Sequence, residues 1–317
     1  MVKSDKAAIL SGRKRKLRHR KFYHDRSSCI SDYILKLVVV IVMILISVIT
    51  LYPFLYILFY SLSTSGKVGA GLLLCPRGFT LESYRILFTN AANIGHAMLV
   101  SIARSTLGPL ISLMVNSMGA FALSRKRLIG RKVFLIYVLM TMYFSSGIIP
   151  TYILMQRLHL AGTFWVYIVP AMFSTFNMIL IKTYMEGIPE ALEESALIDG
   201  ANDYVIFFRV LLPLCMPVLA AVMLFDCVNQ WNAYSDTMIY NSMKSDLHTL
   251  QYVLMTFIDT RASSLQEAES KGELQSLFNP VTARMALTVI VTVPILCVYP
   301  VLQKYFASGI LIGSVKG

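Results

Sequence analysis

Long runs without a single charge alternate along the chain with short charged clusters. The first run, Leu37 to Gly66, holds 30 residues, more than the roughly 20 a helix needs to cross a bilayer. Further uncharged stretches run Ser105–Ser124, Val133–Gln156, about Thr163 to Ile181, Val210–Phe225 and Met285–Gln303. The fifth has only 16 residues, so its helix is expected to continue past Asp226. The pattern predicts an all-α integral membrane protein with six transmembrane helices. The first is an uncleaved helix over Tyr33–Ser61: a signal peptide would have an apolar region of only about 7–15 residues and a small-x-small cleavage site, and no clear one follows.

Six is even, so both termini are expected on one side. Basic residues decide which. The N-terminal tail is basic, and the loop after the second span carries Arg125, Lys126, Arg127, Arg131 and Lys132; both are read as cytoplasmic. The loop between the fourth and fifth spans falls on the same side yet is acidic, with Glu186, Glu190, Glu193, Glu194, Asp199 and Asp203. The expected organisation is a basic cytoplasmic tail over 1–32, a six-helix domain over 33–306 with a long outer segment near 235–282, and a cytoplasmic tail over 307–317.

Composition agrees. Apolar residues make up 56% and charged ones 15%, against roughly 45–50% and 25% in soluble domains, and mean hydropathy is +0.64. A cytosolic enzyme, a disordered tail and a fibrous protein are excluded. Net charge is +12, of which residues 1–36, with 11 basic and 3 acidic side chains, carry +8. That basic segment runs straight into the first apolar helix, so it reads as a membrane anchor facing the cytoplasm, and no nucleic-acid partner is expected. Five cysteines without a C-x-x-C pair support neither a disulfide framework nor a zinc site.

The acidic loop predicts a rigid device. Pro189 suits a first helical position, where its missing N–H is not needed, and Glu190, Glu193 and Glu194 follow where the helix dipole favours anions. Leu192 and Ala196 fall on one face. Asp199-Gly200 is a stop signal, and Asn202 or Asp203 can cap the helix that follows. The prediction is a short helix over about 188–201, a sharp turn, and a new helix entering the membrane.

This segment resembles the binding-protein-dependent permeases of ABC transporters. They carry E-A-A, three residues, G, nine residues, I-x-L-P; here Glu194-Ser195-Ala196 precedes Gly200 by the same interval, and Val210-Leu211-Leu212-Pro213 follows nine residues later. Ser195 and Val210 are the two departures, both small changes of similar shape. Ile198-Asp199-Gly200-Ala201, Phe225 with Trp231-Asn232, and the glycines at 309, 313 and 317 resemble the carbohydrate-uptake, maltose-permease-like branch. Met142–Tyr152 (MYFSSGIIPTY) resembles the LplC-like subgroup that handles fragments of complex polysaccharides.

The resemblance implies a type I importer permease in a bacterial plasma membrane, carrying carbohydrate inward. It implies a cytoplasmic coupling helix between the fourth and fifth spans, with Glu190, Glu194, Ala196, Asp199 and Gly200 meeting an ATPase dimer that holds ATP-Mg. A second, homologous permease and an extracellular solute-binding protein complete the set. The chain itself has no G-x-x-x-x-G-K-[ST], hence no P-loop, and no catalytic residue or cofactor of its own is expected. Polar residues inside spans are costly and often face a cavity, which marks Asn116, Asn177, Asp226, Asn229 and Gln230 as candidates for the translocation path. Trp231, Tyr234 and Tyr240 could stack on sugar rings. Asn116 and Asn177 could equally hold helices together, and Trp231 and Tyr234 could mark an interfacial belt. The alternatives are a permease for amino acids or peptides, and a stand-alone secondary transporter.

Overall fold

The structure, a computed structural model, describes residues 26–64, 68, 71–90, 94–257 and 280–313. Most of the basic tail, residues 258–279 of the expected outer segment and the last four residues lie outside that set. Among the described residues the regular structure is helical, apart from one isolated antiparallel bridge between Ser63 and Phe79.

The chain divides into two units, residues 1–56 and 57–317. The first consists of most of helix α1 (Arg26–Ser61), whose side chains from Tyr33 to Leu51 are all exposed. A helix apolar all round needs lipid or another protein against it. The second unit holds α2 (Glu82–Asn90), α3 (Ile94–Ser124), α4 (Arg131–Met140), α5 (Ile148–Arg157), α6 (Thr175–Glu186), α7 (Ala191–Ile198) and α8 (Asp203–Leu214). It continues with α9 (Met216–Asn232), α10 (Ser235–Tyr240), α11 (250–257) and α12 (Pro280–Gly313).

Several expected spans are broken. The stretch Val133–Gln156 forms two ten-residue helices, α4 and α5, separated by non-helical residues 141–147. Gly147 at φ 80° takes a conformation that side-chain-bearing residues avoid. The fourth stretch opens as two 3₁₀ turns, Phe164–Tyr167 and Val169–Ala171, bent 47° from α6. The fifth does extend past Asp226, to Asn232. It bends by 79° between α8 and α9, where Pro213 and Pro217 flank Cys215 and neither can donate a helical hydrogen bond. A π-helical turn over Ile206–Leu211 precedes the bend. Among the described residues only α1 and α3 are by themselves long and apolar enough to cross a membrane, and each of the two bent pairs would add one crossing. In α12 the apolar helix Val281–Cys297 is shorter.

Helix α3 is the axis of the second unit. Helices α9 and α6 pack along it, and α12 packs on α9. Gly108 lets α9 approach closely: a Cβ there would lie 3.2 Å from the Gln230 amide. Small residues at such crossings are the usual means of tight packing where lipid offers no hydrophobic drive. One apolar cluster joins Leu87, Ile94, Trp231, Leu250 and Leu287; a second joins Ala120, Met178, Ile181, Phe207 and Leu219. The two bracket α3 and hold its middle, where the polar residues sit, in a fixed frame.

Candidate coupling knob and buried polar core

The acidic loop builds its knob from local rules. Helix α7 ends in paired bonds, Ala201 N to Ala196 O at 2.9 Å and Gly200 N to Leu197 O at 3.0 Å, with Gly200 left-handed at φ 81°. This is the Schellman arrangement, which satisfies carbonyls the helix end leaves open. Asn202 then caps α8, its side chain accepting from the Val205 amide at 2.9 Å. A helix stop and a helix start thus sit two residues apart, and the chain reverses without a loose loop.

The basic loop before α4 fastens the knob. Arg125 pairs with Glu193, Lys126 with Glu190, Arg127 with Asp203, and Arg131 with Glu186, which also accepts from Lys182 at 2.8 Å. The two loops therefore lie on one side of the molecule, and the acidic composition that broke the positive pattern answers the basic loop beside it. Exposed pairs of this kind contribute only about 0–1 kcal/mol each; Arg125–Glu193 is the more buried. Arg125 also stacks on Phe121 at 4.1 Å. Burial lowers its pKa, the neighbouring Arg127 charge adds to that, and Asp203 opposes it.

The knob leaves apolar side chains outward among its charges. Leu192, Leu197, Ile198 and Tyr204 are exposed, Ile198 at 86%. Among the described residues Glu194 and Asp199 enter no ion pair and stand exposed beside them, while Ala196 is half-buried.

The path candidates divide among several places. Asn116, Asn177 and Asp226, from α3, α6 and α9, meet. The Asp226 carboxylate accepts from Ser112 at 2.7 Å and from the Asn177 amide at 2.8 Å. Asn116 donates to the Ser112 carbonyl at 2.7 Å and to Met172 O at 3.4 Å, and accepts from the Ser174 amide at 3.0 Å. It thereby satisfies the backbone at the break before α6. Asp226→Ala would strand the donors of Asn177 and Ser112. A loss of about 1–3 kcal/mol is expected, read as a lowered melting temperature of the purified protein, while Asp226→Asn should lose less.

Gln230 belongs to a second cluster that sequence reading missed. Its centre is Arg104 on α3, 2% exposed. Arg104 donates through Nε to Gln230 Oε1 at 2.5 Å and to Ala233 O at 3.1 Å, and pairs with Asp236. The guanidinium lies over the Tyr167 ring at 4.6 Å, and Gln230 donates to Tyr167 O at 3.2 Å. Trp231 is buried, its indole donating to Val291 O on α12 at 3.1 Å, so it acts here as a packing joint. Tyr240 stacks on Tyr152 at 5.9 Å, Tyr234 is half-buried and Asn229 is exposed. Among the described residues no group of His, Cys, Asp and Glu is placed to hold a metal ion.

The chain thus joins a core of apolar helices to a clasped knob on one face. Residues 115–312 match the family described as binding-protein-dependent transport system inner membrane component, and the chain belongs to that family. It is 37% identical over 278 residues to the polygalacturonan/rhamnogalacturonan transport system permease protein YtcP of Bacillus subtilis (strain 168), covering 87% of this chain and 96% of that one. It is 38% identical over 274 residues to Protein LplC of the same organism, at 86% and 91% coverage. Among solved structures it resembles a bacterial ABC transporter involved in the import of the acidic polysaccharide alginate. The TM-score is 0.76 and identity 29%, over 87% of this chain and 98% of that one. The chain is thus a transport subunit and not itself an enzyme.

Proposed function

We propose that this chain is one of two permease subunits of an ATP-driven bacterial importer that carries oligosaccharides released from complex polysaccharides. The observation that carries the reading is the knob: a short helix locked by the Gly200 turn and by an ionic clasp to the basic loop, with apolar side chains left exposed on it. Only a stiff element can pass a bias between two states of a distant partner. In this reading α7 docks on an ATPase dimer holding ATP-Mg, with Glu190, Glu194, Ala196, Asp199 and Gly200 at the contact. The chain crosses the membrane six times with both termini cytoplasmic, and the outer segment from about 235 to 282 receives a solute-binding protein. Asn116, Asn177 and Asp226 stand near the path.

The sugar class rests on similarity to YtcP and to the alginate importer, which makes uronate-containing oligosaccharides the first to try. The amino-acid and peptide alternative finds no support in these similarities. A tagged pull-down from native membranes in mild detergent tests the assembly. A P-loop ATPase, a second permease and a binding protein should accompany the chain. Recovery of this chain alone across several detergents would point instead to a stand-alone transporter and reduce the Glu194–Gly200 motif to helix capping.

A further inference from the structure

The segment between α4 and α5 is built unlike the other breaks. Residues 133–156 contain no charge, and the two flanking helices have ten residues each. At 1.5 Å per residue each covers about 15 Å, half of a roughly 30 Å apolar layer, so neither crosses it alone and residues 141–147 join two half-length helices. Thr141 places the break, its hydroxyl 3.0 Å from that of Thr175 at the start of α6, two residues from Asn177. The two breaks are therefore neighbours, beside the Asn116–Asn177–Asp226 cluster.

The two breaks differ in how their backbone is satisfied. Before α6, Asn116 serves both the Ser174 amide and the Met172 carbonyl. Between α4 and α5, the amides of Phe144, Ser145 and Ser146 and the carbonyls of 141–146 have no hydrogen-bond partner among the described residues. Every residue from Thr141 to Pro150 is exposed, Tyr143 at 82% and Phe144 at 77%. Such backbone cannot face hydrocarbon, where each open group costs several kcal/mol; it is tolerated where it lines water or is buried in protein. The side chains choose between these. Two aromatic rings stand next to two hydroxyls and a run of free amides, a surface with flat apolar faces and many polar contacts, which is what a pyranose ring presents in return. Broken helices supply substrate sites at the midplane of other transporters for the same reason.

We propose that residues 141–147 form a substrate-contacting wall of the translocation path, with Tyr143 and Phe144 stacking on sugar rings and the open backbone and Ser145 and Ser146 meeting hydroxyls. This rests on the oligosaccharide-import reading and assigns the site within it.

The test uses the whole importer with its partner subunits, in a background where the five native cysteines are replaced. Single cysteines at 143, 144 and 146, and one at Val39 in the all-apolar stretch of α1 as a control, are exposed to a membrane-impermeant maleimide during turnover. The probes are a galacturonate trimer and a neutral arabinose trimer, each with the binding protein. The break positions should react, Val39 should not, and the transported trimer should slow the reaction about fivefold or more. In parallel, Tyr143→Ala with Phe144→Ala should lower maximal uptake about tenfold while ATPase stimulation by the loaded binding protein stays within about twofold of wild type. Tyr143→Phe should keep uptake. Cysteines that never react place the segment against the partner permease and overturn the proposal, as does labelling that sugar leaves unchanged. Parallel loss of uptake and ATPase stimulation in the alanine variant also overturns it, since that is the mark of a structural role. If wild type transports no sugar at all, the importer reading itself fails, and that is seen before any variant is made.

Discussion

Arg104→Ala should lower the melting temperature of the detergent-solubilised protein by about 5–10 °C and sharply reduce the amount recovered from membranes. Arg104 is 2% exposed and ties three elements together. Its guanidinium reaches Gln230 and the Ala233 carbonyl at the end of α9 and pairs with Asp236 at the start of α10, while its face covers Tyr167. Breaking a buried charge pair by removing one partner costs about 3–5 kcal/mol, chiefly because the other charge is left uncompensated. The lower end applies here, since the Asp236 side chain is 35% exposed and water can screen it. Lysine is a poor replacement, because one ammonium cannot reproduce a planar fork aimed at several acceptors; Arg104→Lys should fall between wild type and alanine. Arg104→Met combined with Asp236→Asn should recover part of the loss, as removing both charges removes the stranded one. Thermal unfolding followed by size-exclusion fluorescence gives the ranking. An alanine variant melting within about 2 °C of wild type would mean the cluster contributes little.

The missed cluster shows where sequence reading stops. Arg104 immediately precedes the uncharged stretch that begins at Ser105, so it reads as the boundary of a span. In the structure α3 begins ten residues earlier, at Ile94, and carries Arg104 into the packed interior. Its partner Asp236 lies 132 positions away, a pairing no local pattern contains. Asn116, Asn177 and Asp226 were legible because a polar residue within an apolar run is costly wherever it points; that they meet one another was not. Trp231 marks the same limit, since an aromatic at a helix end reads equally as belt, platform or packing. The break at 141–147 lay in plain sight as Ser145-Ser146-Gly147 with Pro150 just beyond, yet 24 uncharged residues outweigh four turn-formers when length alone is weighed. The turn at the end of the knob was readable to the residue, because capping is chemistry between neighbours: Gly200 and Asn202 act within one helical turn of themselves. The start was not: the helix runs Ala191–Ile198 behind Glu190, shorter than the expected 188–201, and Pro189 lies before it rather than in its first turn.

Gly200→Val should abolish uptake while leaving the chain in the membrane and its partners bound or only weakened. No atom lies within 4 Å of where a Cβ at Gly200 would stand, so the substitution meets no steric wall. Its cost is the backbone: at φ 81° an L-residue sits in the left-handed region at about 1–2 kcal/mol, and a β-branched one fares worst. The way to relieve that strain is to unwind the Schellman bonds from Gly200 to Leu197 and from Ala201 to Ala196. The turn would then open and the stiff link between α7 and α8 would become a tether. A tether transmits no bias from one end to the other, so ATP hydrolysis and sugar movement should separate: ATPase activity persists and uptake falls at least about tenfold, the ratio that 1.4 kcal/mol sets. Gly200→Asn separates conformation from composition, because asparagine tolerates the left-handed region and should retain most uptake. The two variants reconstituted with the ATPase and binding protein, with uptake and hydrolysis measured on the same vesicles, decide it. Equal uptake by valine and wild type would mean that the coupling does not run through this turn, whereas equal failure of valine and asparagine would assign Gly200 to a surface that must carry no side chain at all.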